Sequence, residues 1–155
     1  MTSKPYNDIL SITNQREKEL MKMFKLQNKV EIIVPKADNN GVEIDDLAIR
    51  EELESITKIV GGCTTTDVKG QWWSDDEQRI MQDNNTNFEW YYDKGMQDMN
   101  DQQGLLQALS KIARQLIVFY EQEAISIKIN GTLYIIDYED LDLLSYDLYE
   151  LMFKN

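Results

Sequence analysis

The chain has 155 residues, a length that suits one domain, and its 28 acidic and 16 basic side chains give a net charge of −12. A surface with this excess of negative charge repels phosphate backbones, so direct binding to nucleic acid is not expected. The same excess favours solubility, a basic protein partner, or imitation of a nucleic acid by the protein surface.

Cysteine content and hydropathy indicate where the chain is expected to reside. Cys63 is the only cysteine, which excludes an internal disulfide and is consistent with a cytosolic setting. The first five residues lack the apolar segment of a signal peptide. Because no apolar run approaches the roughly 18 residues of a membrane span, no membrane association is expected.

In chain order, the first half of the sequence predicts two helices and two strands. Apolar residues at spacings of three and four predict helices at 8–27 and 44–60, and Gly61-Gly62 ends the second helix. A β-branched run ending at Pro35 predicts the first strand, and 63–68 predicts another because it is rich in threonine.

The middle of the chain is predicted to be mostly irregular. Residues 74–87 are strongly polar and predict a loop or a mobile hairpin tip. An aromatic strand follows at 88–92, and residues 93–103 form a second polar link.

The last third of the sequence carries the clearest patterns. A broad apolar face predicts a helix at 105–120, and strict alternation predicts a strand at 124–129. Asn130-Gly131 is a strong hairpin signal before the return strand 133–136. Residues 138–153 predict an acidic amphipathic helix whose leucines line one side.

This order predicts an α+β fold with a ferredoxin-like split β-α-β core and an antiparallel sheet. The core is assigned to residues 29–136 of a single domain spanning 1–155. Residues 1–28 are predicted to form an N-terminal helical extension, and residues 137–155 are predicted to form an acidic C-terminal helix. Because one apolar face of such a sheet needs a cover, the chain is expected to form a homodimer or a higher oligomer.

Two segments resemble uncharacterised small ferredoxin-like proteins of bacteriophages and mobile elements. One is Val60-Gly61-Gly62-Cys63-Thr64-Thr65-Thr66 with the following Gly70-Gln71-Trp72, and the other is Gln122-Glu123-Ala124-Ile125. The closing strand Leu133-Tyr134-Ile135-Ile136 is similar as well. This resemblance implies a ferredoxin-like domain of phage or mobile-element origin, located in the cytoplasm of a host cell, and is silent on activity.

The available side chains argue against catalysis. Histidine is absent, which removes the commonest general base and metal ligand. A single cysteine cannot build a standard zinc site, and Gly61-Gly62 lacks the lysine and spacing of a phosphate-binding loop. We therefore expect a non-enzymatic binding protein with no cofactor and no metal. A metal-dependent phosphodiesterase-like enzyme that uses the carboxylate clusters is a less favoured alternative.

The first functional hypothesis is an inhibitor or regulator that occupies the basic, nucleic-acid-binding site of a host protein. Carboxylates spaced along a helix resemble a row of phosphates, and exposed aromatic residues contribute strongly to interfaces. The candidate partner-binding residues are Glu139, Asp140, Asp142, Asp147, Glu150, Trp72, Trp73 and Trp90. A solvated tail helix that only completes the core, and tryptophans that only pack the core, remain open.

The second functional hypothesis is a protein that binds and sequesters a nucleotide-type signal. Hydroxyl and amide groups suit a base or a ribose, and the candidate ligand-binding residues are Thr64, Thr66, Gln71, Gln122 and Glu123. A strand that is simply rich in threonine is the alternative for this segment. The net charge argues against a phosphate ligand, which would require nearby lysine and arginine.

Overall fold

A computed structural model describes residues 23–154. Five strands are present in this range: β1 (Asn28–Pro35), β2 (Thr64–Ser74), β3 (Arg79–Tyr92), β4 (Ala124–Ile129) and β5 (Thr132–Asp137). Two long helices connect them, α1 (Leu47–Val60) and α2 (Met99–Arg114), and α2 continues as a π-helical turn over Gln115–Phe119. The tail is a 3-10 turn (Tyr138–Leu143), the short helix α3 (Leu144–Tyr149) and a π-helical turn (Glu150–Lys154).

The strands form one antiparallel sheet in the order β2-β3-β1-β4-β5. The first four strands of this order, with the crossover helices α1 and α2, are the split β-α-β arrangement. The α+β, ferredoxin-like fold class is therefore confirmed, with β5 added at the β4 edge. Asn130 and Gly131 both have positive φ, at 51° and 84°, as the predicted Asn-Gly hairpin requires.

The core lies between the sheet and the two long helices. Val30, Ile32 and Trp90 face the helices from the sheet and are fully buried. The apolar stripe of α2, which was predicted from residue spacing, is buried against these sheet residues and includes Leu105, Leu109 and Ile112. Asp98 begins α2 by accepting hydrogen bonds from the backbone N–H groups of Asn100 and Asp101.

The segment 74–87, predicted as a loop or a mobile hairpin tip, contains a hairpin tip, but the loop is wrong for most of its length. The β2–β3 hairpin is paired continuously from Thr64 opposite Glu89 to Ser74 opposite Arg79, and only residues 75–78 form the turn. A two-stranded ribbon that is exposed on both faces has no apolar face to bury. Its polar sequence therefore resembles a loop although its backbone hydrogen bonds are those of a sheet.

Two terminal predictions fare differently. The predicted helix at 8–27 lies mostly outside the described residues, and its last five residues, 23–27, are not helical. The tail is helical as predicted, and its leucine face is buried in the same chain, with Leu144 and Leu148 inaccessible to solvent. Tyr92 donates a hydrogen bond to the carbonyl of Met152 at 2.9 Å, which ties the tail to the sheet. The predicted division of the chain into an N-terminal extension, a core and a tail, with boundaries after residues 28 and 136, stays a prediction.

Candidate functional site

The strand lengths create a recess at one end of the sheet. β1 ends at Pro35 opposite Asn85, whereas β3 continues to Arg79 and pairs there only with β2. We call residues 69–74 and 79–84, which extend past β1, the overhanging ribbon. Beside it lie the connection 36–43 and the segment 120–123 that leads into β4. A cavity of about 790 Å³ lies between these three parts, and we call it the ribbon cavity.

The lining of the ribbon cavity is polar and acidic. It contains four carboxylates, five side-chain amides and one indole, and no lysine or arginine is among the described residues that line it. The acids are Asp38, Asp83, Glu121 and Glu123; the amides are Asn39, Gln82, Asn84, Asn85 and Gln122; the indole is Trp72; the remainder are Pro35, Ala37, Gly41, Met81 and Ala124. This set favours a ligand that carries positive charge and hydrogen-bonding groups.

The connection 36–43 is shaped by Asp38. Its Oδ1 accepts hydrogen bonds from the N–H groups of Asn40 and Val42, both at 2.9 Å. Gly41 follows with φ of 79°, a conformation that glycine adopts without strain. The sequence Asp-Asn-Asn-Gly thus folds back on itself and places Asp38 and Asn39 at the cavity wall.

The opposite wall is the segment 120–123, which is held by α2 and by Asn39. The N–H of Gln122 donates to the carbonyl of Leu116 at 3.1 Å. Glu121 has φ of 54°, in the left-handed region that residues other than glycine and asparagine rarely adopt. Within residues 23–154, the carboxylates of Glu121 and Glu123 accept no hydrogen bond, so both are available to a ligand.

The partly buried carboxylate of Asp46 lies next to this wall. Asp46 caps α1 and also accepts hydrogen bonds from Gln115 Nε2 at 2.9 Å and Tyr120 Oη at 2.8 Å. Burial alone would raise the pKa of Asp46, but these hydrogen bonds outweigh it and hold the pKa below its ordinary value. The same bond, together with burial, raises the pKa of Tyr120 to about 12.

The three candidate tryptophans lie in three different environments. Trp72 lines the ribbon cavity, and its Nε1 donates to Asp83 Oδ2 at 3.2 Å. Trp73 is on the other face of the ribbon and donates to Asp75 at 3.1 Å. Trp90 is fully buried and donates to Thr57 Oγ1 at 3.0 Å, so it belongs to the core and cannot contact a partner.

The predicted ligand-binding residues are only partly brought together. Gln122 and Glu123 line the ribbon cavity, but Thr64, Thr66 and Gln71 do not. The threonines lie further along β2, opposite Glu89 and Asn87, and are exposed. Gln71 alternates to the other face from Trp72 and contacts Gln82. The threonine strand therefore does not build the predicted pocket, because register places it beyond the cavity.

Most of the polar cavity residues were not among the sequence candidates: Asp38, Asn39, Gln82, Asp83, Asn84, Asn85 and Glu121. The turn sequence Asp38–Gly41 directly after a strand was a usable signal, since polar turns at strand ends commonly line sites. Nothing in the sequence indicated that Asp83 lies in a strand. Within residues 23–154, no group of three or more cysteine, aspartate and glutamate side chains is placed to hold a metal ion.

The predicted carboxylates of the tail lie on its outer side. Glu139, Asp142 and Asp147 are exposed, and Arg114 contacts Asp142 at 3.4 Å. Asp140 accepts from the N–H of Asp137 at 2.9 Å, and Glu150 pairs with Lys154 at 3.3 Å. Three large apolar side chains, Tyr138, Leu143 and Tyr146, are exposed between these acids. We call Tyr138, Glu139, Asp142, Leu143, Tyr146 and Asp147 the tail surface.

No protein-family model matches the chain, and no curated protein matches it. Two solved structures are similar at 17% sequence identity. One is a phage SAM lyase in complex with S-methyl-5'-thioadenosine, with a TM-score of 0.48 over 77% of this chain and 96% of that one. The other is a phage SAM lyase in the apo state, with a TM-score of 0.45 over 76% and 96%.

Both structures are of a phage protein. Both are also of an enzyme, which contradicts the expectation of a non-enzymatic protein, and that expectation is withdrawn. Within residues 23–154, no helix has the length and apolar character needed to cross a bilayer. The expected homo-oligomer stays a prediction.

Proposed function

We propose that this chain is an enzyme that acts on a positively charged, nucleoside-type small molecule bound in the ribbon cavity. The observation that supports the proposal is the charge of the lining, which has four carboxylates and no basic residue among the described residues. A unit positive charge about 4 Å from one carboxylate gains roughly 1 to 4 kcal/mol, depending on solvent exposure. An anionic nucleotide is disfavoured by the same lining.

A sulfonium nucleoside such as SAM has the chemistry that this cavity accommodates. Its sulfur carries the positive charge, its ribose hydroxyls suit amides of the lining such as Asn84 and Asn85, and its adenine offers a flat surface to Trp72. A volume of about 790 Å³ is large enough for a molecule of this size.

The cavity residues divide between binding and proton transfer. Asp83 is held by Trp72, so it contributes fixed negative charge beside the indole. Glu121 and Glu123 accept no hydrogen bond from the described residues and are free to accept a proton. Because the chain has no histidine, carboxylates are the natural candidates for a general base.

Calorimetry with SAM, S-adenosylhomocysteine and ATP tests the binding part. S-adenosylhomocysteine differs from SAM by one methyl group and the sulfonium charge, so the comparison reports on that charge together with a single methyl group. We expect the affinity to fall in the order SAM, S-adenosylhomocysteine, ATP. In the proposed reaction a carboxylate removes a proton from the carbon next to the one bonded to sulfur, a carbon–carbon double bond forms in the amino-acid fragment, and the carbon–sulfur bond breaks with its electron pair going to sulfur. Chromatography of the SAM mixture should therefore show a neutral thioether nucleoside and an unsaturated amino acid. Equal affinity for SAM and ATP would contradict the proposal.

Charge-neutral variants locate the site. Glu123→Gln and Asp83→Asn each remove one cavity carboxylate and should weaken SAM binding by about tenfold, which corresponds to roughly 1.4 kcal/mol. Asp76→Asn makes the same charge change in the hairpin turn outside the cavity and should leave the affinity unchanged. An equal effect of all three variants would show that only net charge matters.

We propose as a second function that the tail surface binds a host protein with a basic site. The specific observation is that exposed Tyr138, Leu143 and Tyr146 alternate with exposed carboxylates while the leucine face of the tail is buried. Aromatic and apolar anchors surrounded by charge are typical of protein interfaces. The tail surface and the ribbon cavity share no residue, so one chain can carry both functions.

Capture of host proteins on immobilised protein tests this second function. Tyr146→Ser and Asp147→Lys change exposed side chains, so the fold should be retained, and each should abolish capture of a specific basic partner. Glu54→Lys, on the exposed side of α1, is the matched charge control. Capture that is unchanged in the tail variants would contradict the function.

A further inference from the structure

One residue of the wall segment 120–123 has an uncommon backbone conformation. Glu121 has φ of 54°, in the left-handed region that a residue with a Cβ rarely adopts. Such a residue persists only where its surroundings determine it, and outliers of this kind concentrate at ligand sites. The groups that hold Glu121 therefore control where its carboxylate stands in the ribbon cavity.

Asn39 supplies two of these groups from the opposite wall. Its Nδ2 donates to the carbonyl of Glu121 at 3.2 Å. Its Oδ1 accepts from Gln122 Nε2, also at 3.2 Å. One side chain thus contacts two consecutive residues that are more than 80 positions away in sequence. We call this pair of hydrogen bonds the Asn39 clasp.

The far side of the same segment is held independently. Tyr120, which precedes Glu121, is bonded to Asp46, and its N–H donates to the carbonyl of Gln115 at 3.2 Å. Gln122 follows and is bonded through its N–H to Leu116. The N–H groups of Tyr120 and Gln122 thus donate to the end of α2, whereas the carbonyl of Glu121 accepts from Asn39 on the opposite wall.

We propose that Asn39 is a positioning residue that sets Glu121 for recognition of the ligand's positive charge. The inference rests on the proposed function of the ribbon cavity and names the residue pair that determines its charge preference. Loss of the clasp leaves the Glu121–Gln122 peptide bonded only through the Gln122 N–H to Leu116. The left-handed conformation of Glu121 is then less firmly held, and its carboxylate moves. Asn39 acts through Glu121, and its amide is not required to contact the charged atom.

The primary test compares Asn39→Ala with Asn40→Ala. Asn39 and Asn40 are adjacent and exposed, but only Asn39 lines the cavity and forms the clasp. We expect Asn39→Ala to lower SAM affinity about tenfold and S-adenosylhomocysteine affinity much less, while Asn40→Ala changes neither. Amide hydrogen exchange without ligand should be faster at Glu121 and Gln122 in Asn39→Ala alone.

A double-mutant cycle separates positioning from direct contact. In a Glu121→Gln background the charge to be positioned is gone, so Asn39→Ala should no longer alter the preference for SAM over S-adenosylhomocysteine. An equal loss in both backgrounds would overturn the inference, since Asn39 would then act on the ligand itself. Unchanged SAM binding in Asn39→Ala would also overturn it and leave the proposed function standing. Absence of SAM binding by the unaltered chain would overturn the proposed function itself.

Discussion

Asp46 and Tyr120 are 74 residues apart in sequence and share a hydrogen bond of 2.8 Å between Oδ2 and the phenol. Through Gln115, the same carboxylate oxygen also contacts the turn that ends α2. The other oxygen caps α1 by accepting from the N–H of Ile49 at 3.1 Å. A single side chain therefore joins the two crossover helices directly behind the wall of the ribbon cavity.

Replacing this carboxylate should destabilise the fold. Asp46→Ala removes a helix N-cap and leaves Gln115 and Tyr120 without their acceptor, so the free energy of unfolding should fall by about 2 kcal/mol. Asp45→Ala, which removes only an exposed contact with Arg50, is the control and should cost little. Urea unfolding curves of the two variants provide the comparison.

The acid dependence follows from the lowered pKa of Asp46. Its ionised form is favoured in the folded state, so its contribution is fully present above its unfolded pKa near 3.8 and is lost as pH falls through the lower folded value. The difference in unfolding free energy between the unaltered chain and Asp46→Asn should therefore shrink below pH 4. A difference that stays constant down to pH 2 would contradict the assignment.

Two phenols should titrate late in the folded protein. The hydrogen bond to Asp46 and burial raise the pKa of Tyr120 to about 12, and burial raises that of Tyr92 to about 12. Their neutral forms stabilise the fold below pH 10, and this stabilisation is lost as pH rises toward 12. In ultraviolet titration at 295 nm, the Tyr120→Phe and Tyr92→Phe variants should each show one fewer phenol that ionises near pH 12 than the unaltered chain. Loss of an early-titrating phenol in either variant would refute this.

The two ribbon tryptophans should respond differently to substitution. Trp72 and Trp73 have similar exposed fractions, 50% and 52%, but only Trp72 lines the ribbon cavity. Trp72→Ala should reduce affinity for SAM about tenfold because it removes the flat surface and the partner of Asp83. Trp73→Ala serves as its matched control and should bind normally. Equal losses would place the ligand elsewhere.

The two glycines after α1 should also differ. Gly61 caps the helix with φ of 100°, whereas Gly62 has no positive φ, and a Cβ would meet no atom at either position. Gly61→Ala should lower the free energy of unfolding by about 1 kcal/mol through backbone strain. Thermal unfolding of Gly62→Ala, which should be near neutral or slightly stabilising, checks that the effect is conformational.

Local patterns in the sequence were sufficient for most of the elements. The apolar stripe of α2 predicted its buried face, since residues three and four apart share one side of a helix. Asn130-Gly131 predicted the β4–β5 turn, because both residues adopt positive φ at low cost. The strand residues between 79 and 87 were missed because a strand without a buried face has no apolar alternation.

The sequence by itself therefore determined the α+β order, the helix faces and the glycine-dependent turns, all of which depend on residues close together in the chain. Only the tertiary structure decided where a site lies. Asp38, Trp72, Asp83 and Glu121 meet because β3 is longer than β1 and because pairing register places Asn85 opposite Pro35. The pairing register between strands that are distant in sequence is determined by packing across the whole sheet, so no local sequence pattern predicts it.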